Sequence, residues 1–364
     1  MVTTRKVLED VGAGKGHLST VQLVFDEKLE RNVILKIPGG EMSKKILSIQ
    51  DDRFAKLHNT EVNVYEILKI RNDTEILYPR IFDMEHMDIN SEPRKHGFIV
   101  MEYIKGITHL YPNDCLTPEE LVDPVRHLAR LHSLAGKLTD EEKKLVPRDF
   151  LSGWFSELFT EKNVNLFMGH WRGKMAELMP STQSKEAIGL LTEILKPENF
   201  QTLNDDCKES GIQEVLCHGD YAASNLLFEK LPDGSRKFKS ICDFQGSNWG
   251  NAAQDLTRLF VTAMSGKDRR ESGEHLLQIY YDELVRVTGG NAPFTWQQLT
   301  RSYTRFLPHH AAVVCITTPG WFFRSLTQKE GAENEKEELE RVMVEKYVTL
   351  MEDLNTAWKE SWLD

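Results

Sequence analysis

The chain has 364 residues, of which 40% are hydrophobic and 28% charged, and its mean hydropathy is -0.43. This length fits two packed domains, and this balance excludes both a disordered chain and a membrane-embedded one. The net charge of -11 gives no broad positive field for a phosphate backbone, so we expect no nucleic-acid partner.

The cysteines are odd in number, widely scattered and without a C-x-x-C pair, which predicts reduced thiols rather than disulfides or a zinc site. They are Cys115, Cys207, Cys217, Cys242 and Cys315. The first residues lack the apolar segment of a secretory signal, and no apolar run is long enough to span a membrane. We therefore expect a cytoplasmic protein with no membrane partner.

The first hundred residues read as strands around one helix. Three apolar, β-branched runs predict strands: TVQLVFD, RNVILKIP and GFIVMEY. Between them, residues 53–68 carry apolar side chains at helical spacing without glycine or proline, which predicts a helix. We expect an N-terminal domain of residues 1–103, built on a small sheet.

Residues 104–364 are expected to form a second, mainly helical domain. One helix has two candidate starts: Thr117 with Glu120 forms a capping box, whereas Asp123 before Pro124 allows a later start. The residues alone leave both open. From Glu333 to Lys359, apolar side chains follow one stripe, which predicts a long amphipathic closing helix.

A candidate catalytic group lies in the second half of the chain. The runs EVLCHGD and KFKSICDFQ flank the turn-rich LPDGSRK and predict a hairpin. Asp220 ends the first run, Asn225 follows it five positions later, and Asp243 opens the DFQ that ends the second run. Phosphoryl transfer needs a carboxylate to take the proton of the attacking hydroxyl, and an amide and a second carboxylate to hold magnesium. A lone D-x-x-x-x-N usually serves turns, and for His218 a packing role is favoured over chemistry.

A glycine-rich segment near the start is a candidate phosphate loop. Gly12, Gly14 and Gly16 precede a predicted strand, and Ser19 can donate a hydrogen bond to phosphate. The spacing is G-x-G-x-G and no helix follows, which argues against a Rossmann or Walker motif. A flexible surface hairpin is the alternative.

Lys36 lies in an apolar predicted strand, where a lysine is costly to bury without an anion. Phosphate oxygens are one possible partner, and Glu61 on the following helix is preferred over Glu66 as the other. An edge strand with the ammonium in water is the alternative. Further along, Glu102 and Tyr103 lie in the connector to the helical half, which offers backbone groups to adenine.

Taken together, these motifs resemble the CHK-kinase-like family, which is related to choline kinases and aminoglycoside phosphotransferases. The phrases LKIP, HNTEVNVY, LARLH, HGDYAASN, DFQ and AAQDLTRL are similar to its nematode and insect, ecdysteroid-kinase-like branch. The resemblance implies an α+β, bilobal protein-kinase-like fold with a small antiparallel-sheet lobe and a larger helical lobe. Because the glycine segment comes so early, the strand before it is expected to be short or missing.

Residue by residue, the resemblance implies Asp220 as catalytic base, Asn225 and Asp243 as Mg²⁺ ligands, and Lys36 with Glu61 at the phosphates of ATP. The expected activity is transfer of the γ-phosphoryl group to a hydroxyl of a choline-like, aminoglycoside-like or ecdysteroid-like small molecule. A nucleotide-binding pseudokinase is the alternative.

A protein kinase is disfavoured, since Gly219 stands where such enzymes often carry an arginine. Asp255, expected to cap a helix or brace a loop, follows Asp243 after too little chain for an activation segment. Aromatic side chains of the helical half are more often core than acceptor pocket. They are Trp154, Phe155, Phe159, Phe167, Trp171, Trp321, Phe322 and Phe323.

Overall fold

The computed structural model describes residues 5–11, 18–40, 49–108, 110–111, 113–148, 159–169, 171–175, 177, 181–320, 322–323 and 333–360. The chain falls into two compact units. The first, here the sheet unit, comprises Met1–Thr108, Thr139–Pro147 and Leu227–Ser247. The second, the helical unit, comprises His109–Leu138, Arg148–Leu226 and Asn248–Asp364.

The strands of the described residues are, in chain order, β1 (Arg5–Asp10), β2 (Ser19–Asp26), β3 (Arg31–Pro38), β4 (Ile81–Asp88), β5 (Lys95–Glu102), β6 (Ile107–Thr108), β7 (Val215–Cys217), β8 (Leu226–Lys230), β9 (Arg236–Ile241) and β10 (Asn248–Gly250). The α-helices are α1 (Asp51–Arg71), α2 (Pro118–Ser133), α3 (Asp140–Lys144), α4 (Glu161–Phe167), α5 (Ser181–Ile194), α6 (Pro197–Ser210), α7 (Ala253–Ala263), α8 (Gly266–Val287), α9 (Trp296–Thr317) and α10 (Glu333–Glu360).

The sheet unit is built on an antiparallel sheet of five strands in the order β1-β2-β3-β5-β4. The three predicted strands, β2, β3 and β5, are confirmed and lie in its interior, where apolar side chains are needed on the buried face. The sequence missed the two edge strands, β1 and β4. On β1, Val7 and Leu8 are exposed, and an edge strand needs no continuous apolar run because it is less buried. The strand before the glycine segment is therefore present, with six residues.

Helix α1 packs on this sheet and extends the predicted helix by two residues at its start and three at its end. Its buried face includes Phe54, Leu57 and Tyr65, which are almost completely inaccessible. The helix ends at Asn72, whose left-handed backbone (φ 47°) lets its N–H bond the Leu68 carbonyl. This packing fixes the direction in which the polar residues of α1 point.

The second sheet of this unit has the order β6-β8-β9 and corrects the predicted hairpin. The strand that pairs with β9 is β8, Leu226–Lys230, and not EVLCHGD. Strand β7, within EVLCHGD, instead pairs with β10 in the helical unit. The turn lies in the predicted segment LPDGSRK. The apolar NLLFEK run is nearer to this turn than EVLCHGD is, and it pairs with β9 because a short loop costs less entropy to close.

The helical unit is organised around one large core formed by several of its helices. Buried aromatic members of this core include Phe159, Trp171, Phe200, Phe306 and Tyr347. The capping box at Thr117 sets the start of α2, and Pro124 lies inside the helix, so the later start is not used. Helix α10 confirms the predicted amphipathic closing helix.

The fold class is α+β, as predicted, with an antiparallel-sheet unit and a mainly helical unit. The five cysteines are free thiols. Within the described ranges, none of the helices is both long and apolar enough to cross a membrane.

Candidate functional site

Lys36 and Glu61 form the centre of a polar cluster in the sheet unit. Strand β3 lies between β2 and β5, so Lys36 occupies an interior strand rather than an edge, and the residue is 5% exposed. Its Nζ atom lies 2.6 Å from Glu61 Oε2 on α1. The ion pair that the sequence predicts is therefore present, and the partner is Glu61. The water-exposed alternative for Lys36 is excluded.

Asp243 is the second anion on the same ammonium group, since Lys36 Nζ lies 2.8 Å from Asp243 Oδ1. Asp243 follows β9 and has a left-handed backbone with φ 72° and ψ 62°. A non-glycine residue in that region is strained by roughly 1–3 kcal/mol, a cost that recurs at functional sites. The next residue, Phe244, is buried with its ring edge-on to Tyr65 at 5.2 Å between centroids. This packing helps to hold the turn.

The cluster is electrostatically unbalanced, because two carboxylates share one ammonium group. Burial by itself lowers the pKa of Lys36, but the charges of Asp243 and Glu61 outweigh it and raise that pKa above its ordinary value. Burial raises the pKa of Glu61 to about 7, although Lys36 opposes the shift. Asp243 keeps 29% of its side chain exposed. A partly exposed carboxylate in an anionic cluster is the kind of hard oxygen ligand that Mg²⁺ prefers.

In the helical unit, Asp255 binds the backbone of the loop that follows β7. Its Oδ2 accepts the N–H of His218 at 2.6 Å, and its Oδ1 accepts the N–H of Gly219 at 2.9 Å. Gly219 has φ 81°, a conformation that favours glycine. Asp255 is completely buried. The predicted loop-bracing role of this carboxylate is confirmed.

A buried chain of hydrogen bonds supports Asp255 from behind. His132 Nε2 on α2 lies 3.1 Å from Asp255 Oδ2, and its Nδ1 lies 2.6 Å from the Tyr280 hydroxyl on α8. All three side chains are fully buried. Both ring nitrogens of His132, the Tyr280 hydroxyl and the Asp255 carboxylate thus have hydrogen-bond partners. A buried polar network stabilises a fold only when its members are paired in this way. The network fixes the orientation of the Asp255 carboxylate.

Asp220 lies in the loop bound by Asp255, and its carboxylate has two side-chain partners. Oδ1 accepts from Arg258 Nε at 2.7 Å, and Oδ2 accepts from Asn225 Nδ2 at 3.2 Å. Asn225 Nδ2 also donates to the Asp220 carbonyl at 2.9 Å. The two predicted residues of this loop are therefore in contact. In this orientation the oxygen of the Asn225 amide, not the nitrogen, is the atom suited to a cation.

His218 has the packing role that the sequence favoured. Its Nδ1 accepts the N–H of Asp220 at 3.3 Å, and its ring lies edge-on to Tyr221 at 5.6 Å. The residue is completely buried. His218 therefore supports the loop backbone beneath Asp220.

One face of α7 holds this loop at three points. Asp255 binds its backbone, Arg258 binds the Asp220 carboxylate, and Thr262 Oγ1 accepts the N–H of Ala223 at 3.0 Å. Residues spaced by three and four positions share one helix face. Sequence reasoning singled out Asp255 but missed Arg258 and Thr262. Their spacing from Asp255 in AAQDLTRLFVTA was the signal that could have found them.

Several predicted site residues are not part of these contacts. Gly12, Gly14 and Gly16 lie outside the described residues. Ser19 begins β2 opposite Pro38, and Glu102 ends β5, where its N–H donates to the Arg80 carbonyl. Tyr103 is 36% exposed. Their nucleotide-binding roles stay predictions.

Most of the described aromatic candidates of the helical half belong to its core, as expected. Phe159, Trp171 and Phe322 are buried in it, and Phe167 and Phe323 pack against it. The other candidates lie outside the described residues: Trp154, Phe155 and Trp321.

Comparison with known proteins gives a family for the chain. Residues 38–362 match the family model DUF1679, described as "Uncharacterized oxidoreductase dhs-27". The Caenorhabditis elegans protein of that name is 24% identical over 297 residues, which are 78% of this chain and 33% of that protein. The "Uncharacterized kinase-like protein D1044.1" of C. elegans is 27% identical over 150 residues, 40% of this chain and 38% of that protein. The chain thus spans about a third of the length of these curated relatives.

Among solved structures, the chain is similar to a choline kinase from Cryptosporidium parvum, with a TM-score of 0.49 and 14% identity, covering 98% of this chain and 89% of that one. Since the family model covers most of the chain and a curated relative is kinase-like, the family resemblance read from the motifs is confirmed. The chain belongs to the DUF1679 family, a CHK-kinase-like family with relatives in nematodes.

Proposed function

We propose that the protein is an ATP- and Mg²⁺-dependent phosphotransferase that moves the γ-phosphoryl group to a hydroxyl of a small molecule. The observation that carries this proposal is the cluster of Lys36, Glu61 and Asp243. The sequence motifs that predict phosphate binding at Lys36 and Glu61 and metal binding at Asp243 are far apart in the chain. In the structure the Lys36 ammonium group bonds the carboxylates of both Glu61 and Asp243. A buried lysine held by a glutamate is the arrangement that kinases use at the nucleotide phosphates.

In the sheet unit, Lys36 is the proposed phosphate ligand. Glu61 holds the ammonium group in place. The charges of Asp243 and Glu61 outweigh the effect of burial on the pKa of Lys36 and keep the group charged. The glycine segment with Ser19, and the connector at Glu102 and Tyr103, are proposed to bind the phosphates and the adenine of ATP. A choline-like, aminoglycoside-like or ecdysteroid-like alcohol is the proposed acceptor.

In the helical unit, Asp220 is the proposed catalytic base. Its carboxylate takes the proton of the acceptor hydroxyl while the acceptor oxygen forms a bond to the γ-phosphorus. The bond from that phosphorus to the β,γ-bridging oxygen breaks, and ADP leaves with the electron pair. Asp220 suits this role because its side chain is 40% exposed and its loop is bound by Asp255. A positioned base of this kind contributes about 10²- to 10⁴-fold to a rate.

Asp243 and Asn225 are the proposed magnesium ligands. Both offer hard oxygen atoms, and the anionic balance around Lys36 favours an additional cation. When bound, magnesium would offset the charge that the triphosphate carries.

Two rival functions make different predictions. A pseudokinase would bind ATP without turnover, but the residues that such proteins usually lose are present here. An oxidoreductase, as the family description is worded, would need a nicotinamide or flavin site, and the common dinucleotide fold is a parallel sheet. The five-stranded sheet described here is antiparallel throughout.

The test is a transfer assay with γ-labelled ATP and Mg²⁺ over a panel of amino-alcohols, aminoglycosides, sterols and peptides. Asp220→Asn and Asp243→Asn are expected to lose transfer, and chelation of Mg²⁺ is expected to abolish it. Asp233→Asn is the matched control, because this aspartate lies in the exposed β8–β9 turn and bonds only local groups. Its activity should equal that of the unmutated protein.

Each outcome selects one function. Label on a small alcohol that depends on Asp220 supports the proposal, and label on peptides points to a protein kinase. ATP binding without transfer supports the pseudokinase, and a change in NADH absorbance with a carbonyl substrate supports the oxidoreductase.

A further inference from the structure

We propose that Arg258 is a positioning residue that orients the Asp220 carboxylate for proton transfer, an inference that rests on the proposed phosphotransferase function. Arg258 lies within the AAQDLTRL motif, but the motif by itself assigns no role to this residue. It reaches Asp220 from the helix that also carries Asp255, so the backbone and the side chain of the catalytic loop are held by one element.

The contact between Arg258 and Asp220 is a single, short hydrogen bond. Arg258 Nε donates to Asp220 Oδ1 at 2.7 Å, and the arginine side chain is 20% exposed. The Nη1 atom is buried and has no hydrogen-bond partner among the described residues. Only one N–H of the guanidinium group is therefore shown on this carboxylate, unlike the two-bond pairing that arginine often makes.

This bond gives the two carboxylate oxygens different environments. Oδ1 is held by a charged donor, whereas the bond shown for Oδ2 among the described residues is the longer, neutral one of 3.2 Å from Asn225. Charge-assisted hydrogen bonds are roughly twice as strong as neutral ones. The carboxylate is thus anchored through Oδ1, and Oδ2 is the oxygen that turns to the acceptor hydroxyl.

The loop itself does not depend on Arg258. Its backbone is bound by Asp255 at His218 and Gly219, and by Thr262 at Ala223. Removal of the guanidinium group leaves these bonds in place and frees only the Asp220 side chain. Since Lys36, the proposed phosphate ligand, lies in the sheet unit, we expect a lower kcat with an unchanged KM for ATP.

Two substitutions and one control test the role. Arg258→Met removes the charge and the donor at similar length. Arg258→Lys keeps a positive charge and N–H donors, of which the contact uses one. Arg130→Met is the control, because Arg130 Nε makes a bond of the same length, 2.7 Å, to Glu283 Oε1 and is 26% exposed. Steady-state kinetics are measured for Mg-ATP hydrolysis, with water as acceptor, and for transfer to any alcohol that the unmutated protein phosphorylates.

Arg258→Met is expected to lower kcat by about 10- to 100-fold, the loss that misplacement of a reacting group produces, with KM for ATP within about twofold. Arg258→Lys is expected to recover most of kcat, and Arg130→Met to keep it. Equal losses in the Lys and Met variants, a matching loss in Arg130→Met, or no loss in Arg258→Met overturns the proposal.

If Arg258→Met does not fold, the Lys variant decides alone, since a folded Lys variant with kcat reduced more than about tenfold contradicts a one-bond contact. If the unmutated protein turns over no ATP, the proposed function fails and this inference fails with it. Turnover that requires Asp220 but not Arg258 refutes this inference alone.

Discussion

Replacement of Gly97 by alanine tests the packing that places Glu61. Gly97 lies in β5 with φ 72°, and a Cβ atom there would come within 2.7 Å of the His58 ring and 2.9 Å of Met87 Cβ. His58 cannot turn aside without loss, because its Nε2 bonds the Glu85 carbonyl at 2.8 Å. His58 precedes Glu61 by three residues on α1, so a shift of His58 displaces the helix turn that holds Lys36.

The size of the effect follows from two separate costs. An alanine with a left-handed backbone is destabilised by roughly 1–2 kcal/mol relative to glycine. Forcing an extra methyl group into a filled core adds roughly 1–3 kcal/mol. Gly97→Ala should therefore lower the free energy of unfolding by about 2–5 kcal/mol. Gly106→Ala provides the control, since Gly106 has φ 76° but no atom within 4 Å of its Cβ position.

Urea unfolding followed by circular dichroism measures both variants. We expect Gly106→Ala to show only the backbone cost, about 1–2 kcal/mol, and Gly97→Ala to exceed it. In the double variant with His58→Ala, part of the excess should be recovered, because the ring that meets the new methyl group is gone. Equal destabilisation by the two alanines would refute the steric argument and leave Gly97 required for its backbone conformation alone.

Three further predictions concern the two polar networks and a helix contact. In the folded protein the pKa of Glu61 is raised to about 7, above its ordinary value of 4.5, so the folded state holds this proton more tightly than the unfolded state does. The free energy of unfolding should therefore fall as pH rises between these two values. Glu61→Gln should flatten this dependence, as measured by urea unfolding at several pH values. Asp255→Asn turns an amide donor toward buried backbone N–H groups and should cost about 3 kcal/mol. Asp268→Asn, in the half-buried first turn of α8, should cost less than about 1 kcal/mol by thermal unfolding. Gly266→Ala would drive a methyl group into Thr349 and lower Tm. A Thr349→Ala change in the same chain should restore only part of the loss, because the Cβ atom of Thr349, which alanine keeps, is also among the atoms that the new methyl group meets.

The sequence was a good guide to the fold where local patterns decide structure. Local sequence patterns were enough to predict the strands with apolar runs, helix α1 and the capping box of α2. The Lys36–Glu61 pair was predictable because a buried lysine needs an anionic partner. The hairpin at β8 was misassigned because strand pairing depends on competition between neighbouring apolar runs, which local propensity does not resolve. Arg258 was missed because most arginines on helices lie at the surface, and the role of this half-buried one depends on which loop the helix faces.

The polar network around Lys36 is governed by unbalanced charge, whereas the network around Asp255 is governed by hydrogen bonding. Around Lys36, the carboxylates of Glu61 and Asp243 outnumber the ammonium group, so any cation that approaches relieves a repulsion. Around Asp255, two backbone N–H groups and His132 already engage both oxygens of one carboxylate, so this network acts by hydrogen bonding within the fold. We therefore expect added Mg²⁺ to raise Tm, and we expect Asp243→Asn to reduce this gain.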